Sequence, residues 1–590
     1  MSRINRGVVA AVWALALIAS PAFAQVSFIG EWTGRYHEDQ PDRVPGEEPG
    51  DFSGLPINDA ARMFGDSWDV ARHSVLEHQC APYTLPYIFF GPNQFRIWTE
   101  NHPDTQELLA IRMHLGTYQQ ERTIWLDGRP HPPDFAPHTF MGFSTGEWNG
   151  DILTITTTHI KAGYFRRDGM PASDRITVVE HWMRHGNLFS QVTMATDPVY
   201  LTEPYIRSQE FVLMDRGNQN WLYNCEYAME VPKDKNEVPH YLPGQNPWLG
   251  EFEAKHAMPR EGVRGGAETL LPEWKPGAPK AATVPAKNGG FRPQDQPQRL
   301  TPGDVKSVHV QGNVHMIVGA GSNIAVQVGQ DGVLVVDTGA AGTSDTVLAA
   351  IRQLAPDKEI RWVINTTMRP DHVGGNEPIS KAGRTVNGNM AALVAHENAA
   401  ARMVQAGVPD AARPYNTYFE GTRDFPFNGE PIVLYHDESA ADDTGTLVLF
   451  RRSDVVAAGD TYSTTSFPVI DVDSGGSIQG TIDALNRILA LTVPSKSLEE
   501  GGTYVIPGHG RISDEHDVAM YRDMVQIISD RIRDMVGKKM TLEQVKAARP
   551  TLDYDGRYGS DTGPWTTSMF VESVYRDLST AGGSATGRSR

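Results

Sequence analysis

The sequence predicts a two-part architecture, with an all-β unit of barrel or sandwich type over residues 25–231 and an α/β unit over 304–590. Three observations predict it. Short apolar strands bounded by tight turns fill the N-terminal half. Strands alternate with amphipathic helices after Thr301, and a stretch of recurring prolines without helical periodicity, 232–303, separates the two as a linker. The 590 residues suffice for such a pair at roughly 100–200 residues per domain. Hydrophobic residues at 40% and charged residues at 21% are ordinary globular usage, while 56 Gly and 40 Pro argue for loops over a helical bundle. Chain-wide disorder and coiled coil are excluded.

Residues 1–24 read as a secretory signal. Arg3 and Arg6 precede an apolar run from Val8 to about Ile18, and Pro21 leads into Ala22-Phe23-Ala24. The run falls short of the ~20 residues a bilayer span needs. No stable membrane span is therefore expected after cleavage, and the expected location is a periplasm or the exterior. In such an oxidising compartment the only two cysteines, Cys80 and Cys225, are a natural pair, the alternative being two unlinked thiols. A bridge over so long a loop would constrain the unfolded chain by roughly 4–5 kcal/mol on chain-entropy grounds. The formal net charge of −19 becomes more negative once Arg3 and Arg6 are removed, and no basic run is long enough to hold nucleic acid against it.

In the β unit, Glu147-Trp148-Asn149-Gly150-Asp151 leading into Ile152–Thr158 is a hairpin signal, and the stretches 175–184 and 188–194 repeat it around His185-Gly186-Asn187. Trp125, Trp148 and Trp182 are expected in the core of this unit. In the α/β unit, 324–328 and 332–337 read as strands, Ser344–Leu354 as a helix and 362–365 as a further strand. The stretch 477–491 places Ile478, Ile482, Leu485 and Leu489 on one helical face. A longer helix is expected to start at a Ser513 cap, bury Val518, Tyr521, Val525, Ile528 and Ile532, and stop near Gly537.

The chemistry concentrates in Asp371-His372-Val373-Gly374-Gly375-Asn376, which comes after an apolar strand at a turn whose glycines permit close backbone approach. Gly459-Asp460 and Gly508-His509-Gly510 also end short apolar strands. Together Asp371, His372, Asp460 and His509 would form a site of two imidazoles and two carboxylates, suited to one zinc ion and tolerant of iron or manganese. His396 reads as a helix-start residue, and His436, six residues before Asp442, is within sequence reach of the site.

In this order and spacing, the segment from Val308 to His516 resembles the metallo-β-lactamase superfamily, and helices to Leu578 look like a family-specific extension. The phrases Ala395-His396-Glu397-Asn398 and Gly475-Gly476-Ser477-Ile478 resemble secreted, quinoprotein-associated members. The resemblance implies an αββα sandwich, usually with two metals, and a structural aspartate at Asp337. It also shows a departure from the usual His-x-His-x-Asp-His pattern: Thr367 and Arg369 replace the first two histidines, and Asp442 stands where a third is usual. The expectation is therefore a single-metal centre and an exported hydrolase of an ester, lactone, amide or phosphoester. In it, Asp371 or Asp442 would take a proton, and Arg369 would pair with Asp442 in place of the missing cation through a fork that can bind a carboxylate in a bidentate way, the alternative being that Arg369 turns to solvent. The substrate would be a small molecule, held through any anionic group by Arg369. The departure leaves open the alternative of a non-catalytic periplasmic ligand-binding protein on the same fold.

Overall fold

The structure is a computed structural model that describes residues 26–35, 48–214 apart from 76, 91–93 and 167, then 225, 238–278, 300, and 303–585 apart from 386 and 496–501. The signal segment 1–24 and the linker run 280–290 lie outside the described residues.

In the N-terminal half, nine strands close into a barrel. Their order is Gly30–Arg35, Tyr205–Leu213, Leu188–Thr196, Thr177–His185, Ile152–Thr158, Phe143–Asn149, Gln120–Trp125, Leu108–Leu115 and Gln94–Asn101. Neighbours run antiparallel except Gln120–Trp125 beside Phe143–Asn149, which is parallel. Gly150 and Gly186 close the two predicted hairpins, each at φ +61°, a conformation that a β-carbon would strain. Alternation then sorts the strands: along Leu188–Thr196, Phe189, Gln191, Thr193 and Ala195 point inward. Trp32, Phe95, Phe189 and Phe211 fill the interior in tilted and edge-to-face pairs. Trp182 joins them fully buried, whereas Trp125 lies partly exposed with Arg129 over its ring, and Trp148 packs at the margin of the core. Cys80 and Cys225 form the expected disulfide across 145 residues of sequence.

The proline-rich stretch after the barrel is not a free spacer where it is described. Residues 238–278 form short helical turns against the helix Asp59–Ser67. Arg62 donates to the carbonyls of Arg264 and Gly265 at 2.8 and 2.9 Å, and the Ser67 carbonyl accepts from the Tyr241 N–H at 2.8 Å. Those contacts satisfy backbone groups that a detached linker would leave to water.

The C-terminal half is a helix–sheet–sheet–helix sandwich. One sheet orders its strands Lys306–Gln311, Val314–Ala320, Ser322–Val328, Val333–Val336, Ile360–Ile364, Ala392–His396 and Asn416–Tyr418. The other orders Thr422–Phe427, Glu430–Asp437, Gly445–Phe450, Val455–Ser463, Tyr504–His509 and Ser513–Asp514. Period-two alternation builds both layers. Val333 and Val335 face helix Ser344–Leu354, while Leu334 and Val336 face Leu434, Val448 and Ile506 of the second sheet. On the far side, Leu447, Leu449 and Val456 pack against helices Ile478–Leu491, Glu515–Gly537 and Thr567–Ala585. The long helix starts one residue later than the Ser513 cap predicts. Ser513 is tied into the short strand beside Val505, so Asp514 becomes the cap and accepts from the Asp517 N–H. Among the described residues, no helix is long and apolar enough to cross a membrane.

A buried charge network joins barrel to sandwich. Asp174 of the barrel half faces Arg511 at 3.1 Å and Arg557 at 2.8 Å, and Arg511 also holds Asp517 through two bonds of 2.8 Å. Lys161 reaches Asp514 at 2.7 Å and Asp517 at 3.1 Å. Beside it His516 is kept neutral: burial, with Lys161 nearby, pushes its imidazole down to about 3. A group depressed in the fold contributes stability above its unfolded value, near 6.5 for histidine, and loses it as pH falls towards the folded value. His516 alone should therefore cost about 2 kcal/mol by pH 5. His73, which burial pushes down to about 4, works in the same direction. The melting temperature is expected to drop between pH 7 and pH 5, and a flat profile in a thermal scan would contradict this balance.

Candidate metal centre

Asp337 and His509 stand at strand ends, Asp371 and His372 lie in the short helix Pro370–Val373, and Asp460 lies within the strand Val455–Ser463, which runs three residues past the end that the sequence predicts. Asp337, next after Val336, adopts φ +62°, an uncommon left-handed conformation for a residue with a side chain. Its carboxylate accepts from the Thr366 N–H at 2.8 Å, the Thr366 hydroxyl at 2.6 Å and His372 Nδ1 at 2.7 Å. The resemblance anticipated this structural role. With Nδ1 committed to Asp337, the Nε2 of His372 turns to the site, the arrangement that fixes metal-binding histidines.

The Gly-Gly-Asn just after Val373 has its own reason. A β-carbon on Gly374 would lie 2.2 Å from the Ala341 nitrogen, and one on Gly375 would lie 2.5 Å from the Thr338 carbonyl oxygen, so only glycine lets this turn dock. Asn376 exchanges amide hydrogen bonds with Asn365 at 2.8 and 2.9 Å and accepts from the Thr338 hydroxyl at 3.0 Å. The two ends of the predicted motif are thereby pinned together.

The fold brings Asp371, His372, Asp460 and His509 together. Asp371, His372 and His509 each offer a ligand atom, all within 4.8 Å of one another. His509 Nε2 lies 3.2 Å from Asp371 Oδ2 and 3.6 Å from Asp460 Oδ1, and His372 Nε2 lies 3.0 Å from the same Asp460 oxygen. A tetrahedral zinc site with bonds of ~2.0–2.2 Å separates its ligand atoms by roughly 3.3 Å, so Asp371, His372 and His509 suit such an ion, while Asp460 stands outside that group. Asp460 adjoins the two histidines. His372 is fully buried, whereas the side chains of Asp371 and His509 are 43% and 31% exposed, which leaves the centre accessible from one side.

Electrostatics agree with the geometry. Burial pushes His372 down, but Asp460 and Asp337 override it and hold the imidazole well above its ordinary value. His509 obeys the same balance, burial against bonds to Asp371 and Asp460, and lies at about 9. The bond from His509 holds Asp371 below the usual carboxylate range. Asp460 is held well below that range, because His372, His509 and Arg369 together outweigh its burial. Carboxylates that favour imidazolium here also favour a divalent cation in its place, with release of protons.

Arg369 does pair with Asp442, but loosely and without two-point contact. Its Nε faces Asp460 Oδ2 at 3.1 Å, while the nearest approach to Asp442 is Nη2 to Oδ2 at 3.9 Å, an ion pair without a bidentate fork. The reason is local: Asp442 Oδ1 is taken by the Thr444 N–H at 2.8 Å and hydroxyl at 2.5 Å. Asp460 thus bridges, with Oδ1 towards the histidines and Oδ2 towards the guanidinium. Thr367 is buried with its hydroxyl unpartnered among the described residues. His396 caps its helix by accepting from the Asn398 N–H, and His436 stacks on it at 3.5 Å, with its Nδ1 2.9 Å from the Gly445 carbonyl; the two rings form a separate pair. Arg402, Trp565 and Arg576, which line a cavity beside Arg369 and Asp442, carry no motif and could not be found from sequence.

Residues 317–494 match the family model of the metallo-beta-lactamase superfamily. The C-terminal region carries the metallo-beta-lactamase fold. The matched segment contains Asp371, His372, Asp442 and Asp460 but ends before His509, whose place in the set rests on the distances above. Among solved structures, a metallo-beta-lactamase from Pontibacter korlensis aligns at 14% identity over 38% of this chain and 99% of its own, with a TM-score of 0.32. The sec-alkylsulfatase Pisa1 from Pseudomonas sp. aligns at 16% identity over 46% of this chain and 50% of its own, with a TM-score of 0.37. A metallo-beta-lactamase from Hirschia baltica aligns at 15% identity over 38% of this chain and 97% of its own, with a TM-score of 0.30. No curated protein matches the chain in sequence.

Proposed function

We propose that this protein is an exported, metal-dependent hydrolase of a small-molecule ester, lactone, amide or phosphoester, working with one divalent ion held by Asp371, His372, Asp460 and His509. The observation that supports this reading is the gathering of Asp371, His372 and His509 within 4.8 Å of one another, with Asp460 against both histidines and Arg369 against the outer oxygen of Asp460. Zinc suits the donor set, and iron or manganese would be tolerated. The Cys80–Cys225 bridge is consistent with export.

When bound, such an ion polarises a substrate oxygen and makes water a better nucleophile near neutral pH. Asp337 holds the tautomer and orientation of His372. Asp371, the most exposed carboxylate of the set, would take a proton from the attacking water. Asp442, fixed by Thr444, keeps Oδ2 towards Arg369 and orients the guanidinium.

A screen of lactone, ester, amide and phosphoester substrates tests the reading. Hydrolysis of at least one class is expected, lost after chelation and restored by zinc, iron or manganese. Turnover that survives complete chelation would overturn it, and a bound ion with no turnover on any class would favour the ligand-binding alternative.

A further inference from the structure

A cavity of about 640 Å³ opens beside the candidate centre, walled by helix Glu397–Gln405, the segment 469–474 and the C-terminal extension through Trp565, Ser573 and Arg576. Its volume lies within the range of small-molecule sites. Arg369 stands between the cavity and the ligand set: Nε turns to Asp460, and the guanidinium lines the cavity with its side chain 24% exposed. The acidic groups around the cavity are mostly engaged elsewhere, and only Asp442 turns its second oxygen, Oδ2, to Arg369 at 3.9 Å. Asp443 takes both ends of Arg402 at 2.5 and 2.9 Å, Asp473 takes Arg576 at 2.7 Å, Asp471 accepts from the Ser474 N–H, and Asp442 accepts from Thr444. Arg369, by contrast, has ion pairs at 3.1 and 3.9 Å but no side-chain hydrogen bond among the described residues. The rest of the lining is mixed: Gln405, Ser474 and Ser573 are polar, and Met368, Val469, Ile470, Val472 and Trp565 supply an apolar part.

We propose that this cavity is the substrate pocket and that it takes an organic oxyanion with an apolar portion, the charged oxygens received by the outer N–H groups of Arg369 and the apolar portion by the wall that the C-terminal extension completes. The inference deepens the hydrolase reading and rests on it for the reaction. Arg369 is suited to the task because a planar, permanently charged fork can hold two oxygens at once, and its charge is anchored by Asp460 from behind. The chemistry shared by carboxylate, sulfate and phosphate groups is sufficient for this recognition. The apolar wall is what separates an organic anion from an inorganic one.

Octane-1-sulfonate is a probe that carries this chemistry and has no hydrolysable bond. Titration calorimetry on the full-length protein should show one octane-1-sulfonate bound per chain, with octan-1-ol and inorganic sulfate each at least about tenfold weaker. Arg369→Gln should weaken the sulfonate at least about tenfold. Ser573→Trp, which fills the cavity from the C-terminal helix, should abolish its binding. Metal content, measured on the same samples, should stay at the wild-type level in Ser573→Trp, whereas Arg369→Gln removes an outer partner of Asp460 and should lower metal affinity by about 10- to 100-fold. Binding of octan-1-ol as tight as the sulfonate, or sulfonate binding indifferent to both substitutions, would overturn the proposal while leaving the metal centre standing. Wild-type protein that binds the sulfonate as described but takes up no metal would instead overturn the hydrolase reading and leave the pocket assignment in place.

Discussion

His509→Ala is expected to strip the metal from the centre. His509 is the one donor supplied by strand Tyr504–His509, and its Nε2 stands between Asp371 and Asp460 at 3.2 and 3.6 Å. Losing only an outer partner of a ligand costs about 10- to 100-fold in metal affinity, so losing the ligand itself should exceed that range. His436→Ala is the control, since that ring is paired with His396 and bonded to the Gly445 carbonyl. Dialysis against graded chelator and then metal analysis reads the difference. The alanine variant at 509 should lose its ion where wild type and the control at 436 retain theirs, and equal retention by all three would remove His509 from the ligand set.

The largest effect on stability is expected from Asp174→Ala, at roughly 3–5 kcal/mol, the range for removing one partner of a buried ion pair. Asp174, Arg511 and Arg557 are all shielded from water, and Arg557 and Arg511 hold the Asp174 carboxyl well below the usual range against its burial. After the substitution Arg511 keeps Asp517, but Arg557 loses the carboxylate that both its Nε and its Nη2 address. The damage should extend to the metal loop. The Arg511 N–H is held by the Thr464 hydroxyl at 3.0 Å, and the Thr464 N–H by the His509 carbonyl at 3.0 Å. Guanidinium denaturation gives the free energy, with Asp174→Asn as a shape-preserving comparison expected to cost less. A loss below about 1 kcal/mol for the alanine variant would mean that water reaches the network and screens it.

What could be read from sequence divides along a physical line. The neighbourhood of Asp371, His372, Asp460 and His509 was legible because short apolar strands lie just before or around them, and those strands fall in two sheets that pack face to face. The hairpins of the all-β unit were legible from two-residue turns such as the one at Gly150, but not their closure into a barrel over a sandwich, which depends on the pairing of the first strand with the last. The Arg369–Asp442 fork was not, because the outcome depends on which oxygen of Asp442 the Thr444 hydroxyl takes, and residue type does not encode that choice. Asp174 and Arg511 lie 337 positions apart, so nothing local could pair them. The wall supplied by Trp565 and Arg576 is equally remote from the motif it covers. The course of residues 238–278 against Asp59–Ser67 was hidden for another reason: proline-rich composition indicates an extended chain but not what the chain lies on.

One divalent ion per chain is the central claim, and it rests on Asp371, His372 and His509 lying within 4.8 Å of one another with Asp460 against both histidines, beside a position where Arg369 already provides a positive charge. The most direct measurement is metal content per chain after purification without chelators, saturation with zinc and desalting. One ion per chain is expected. Two would show that Thr367, Arg369 and Asp442 leave room for a second cation, and none would show that the convergence of Asp371, His372, Asp460 and His509 is not a metal centre.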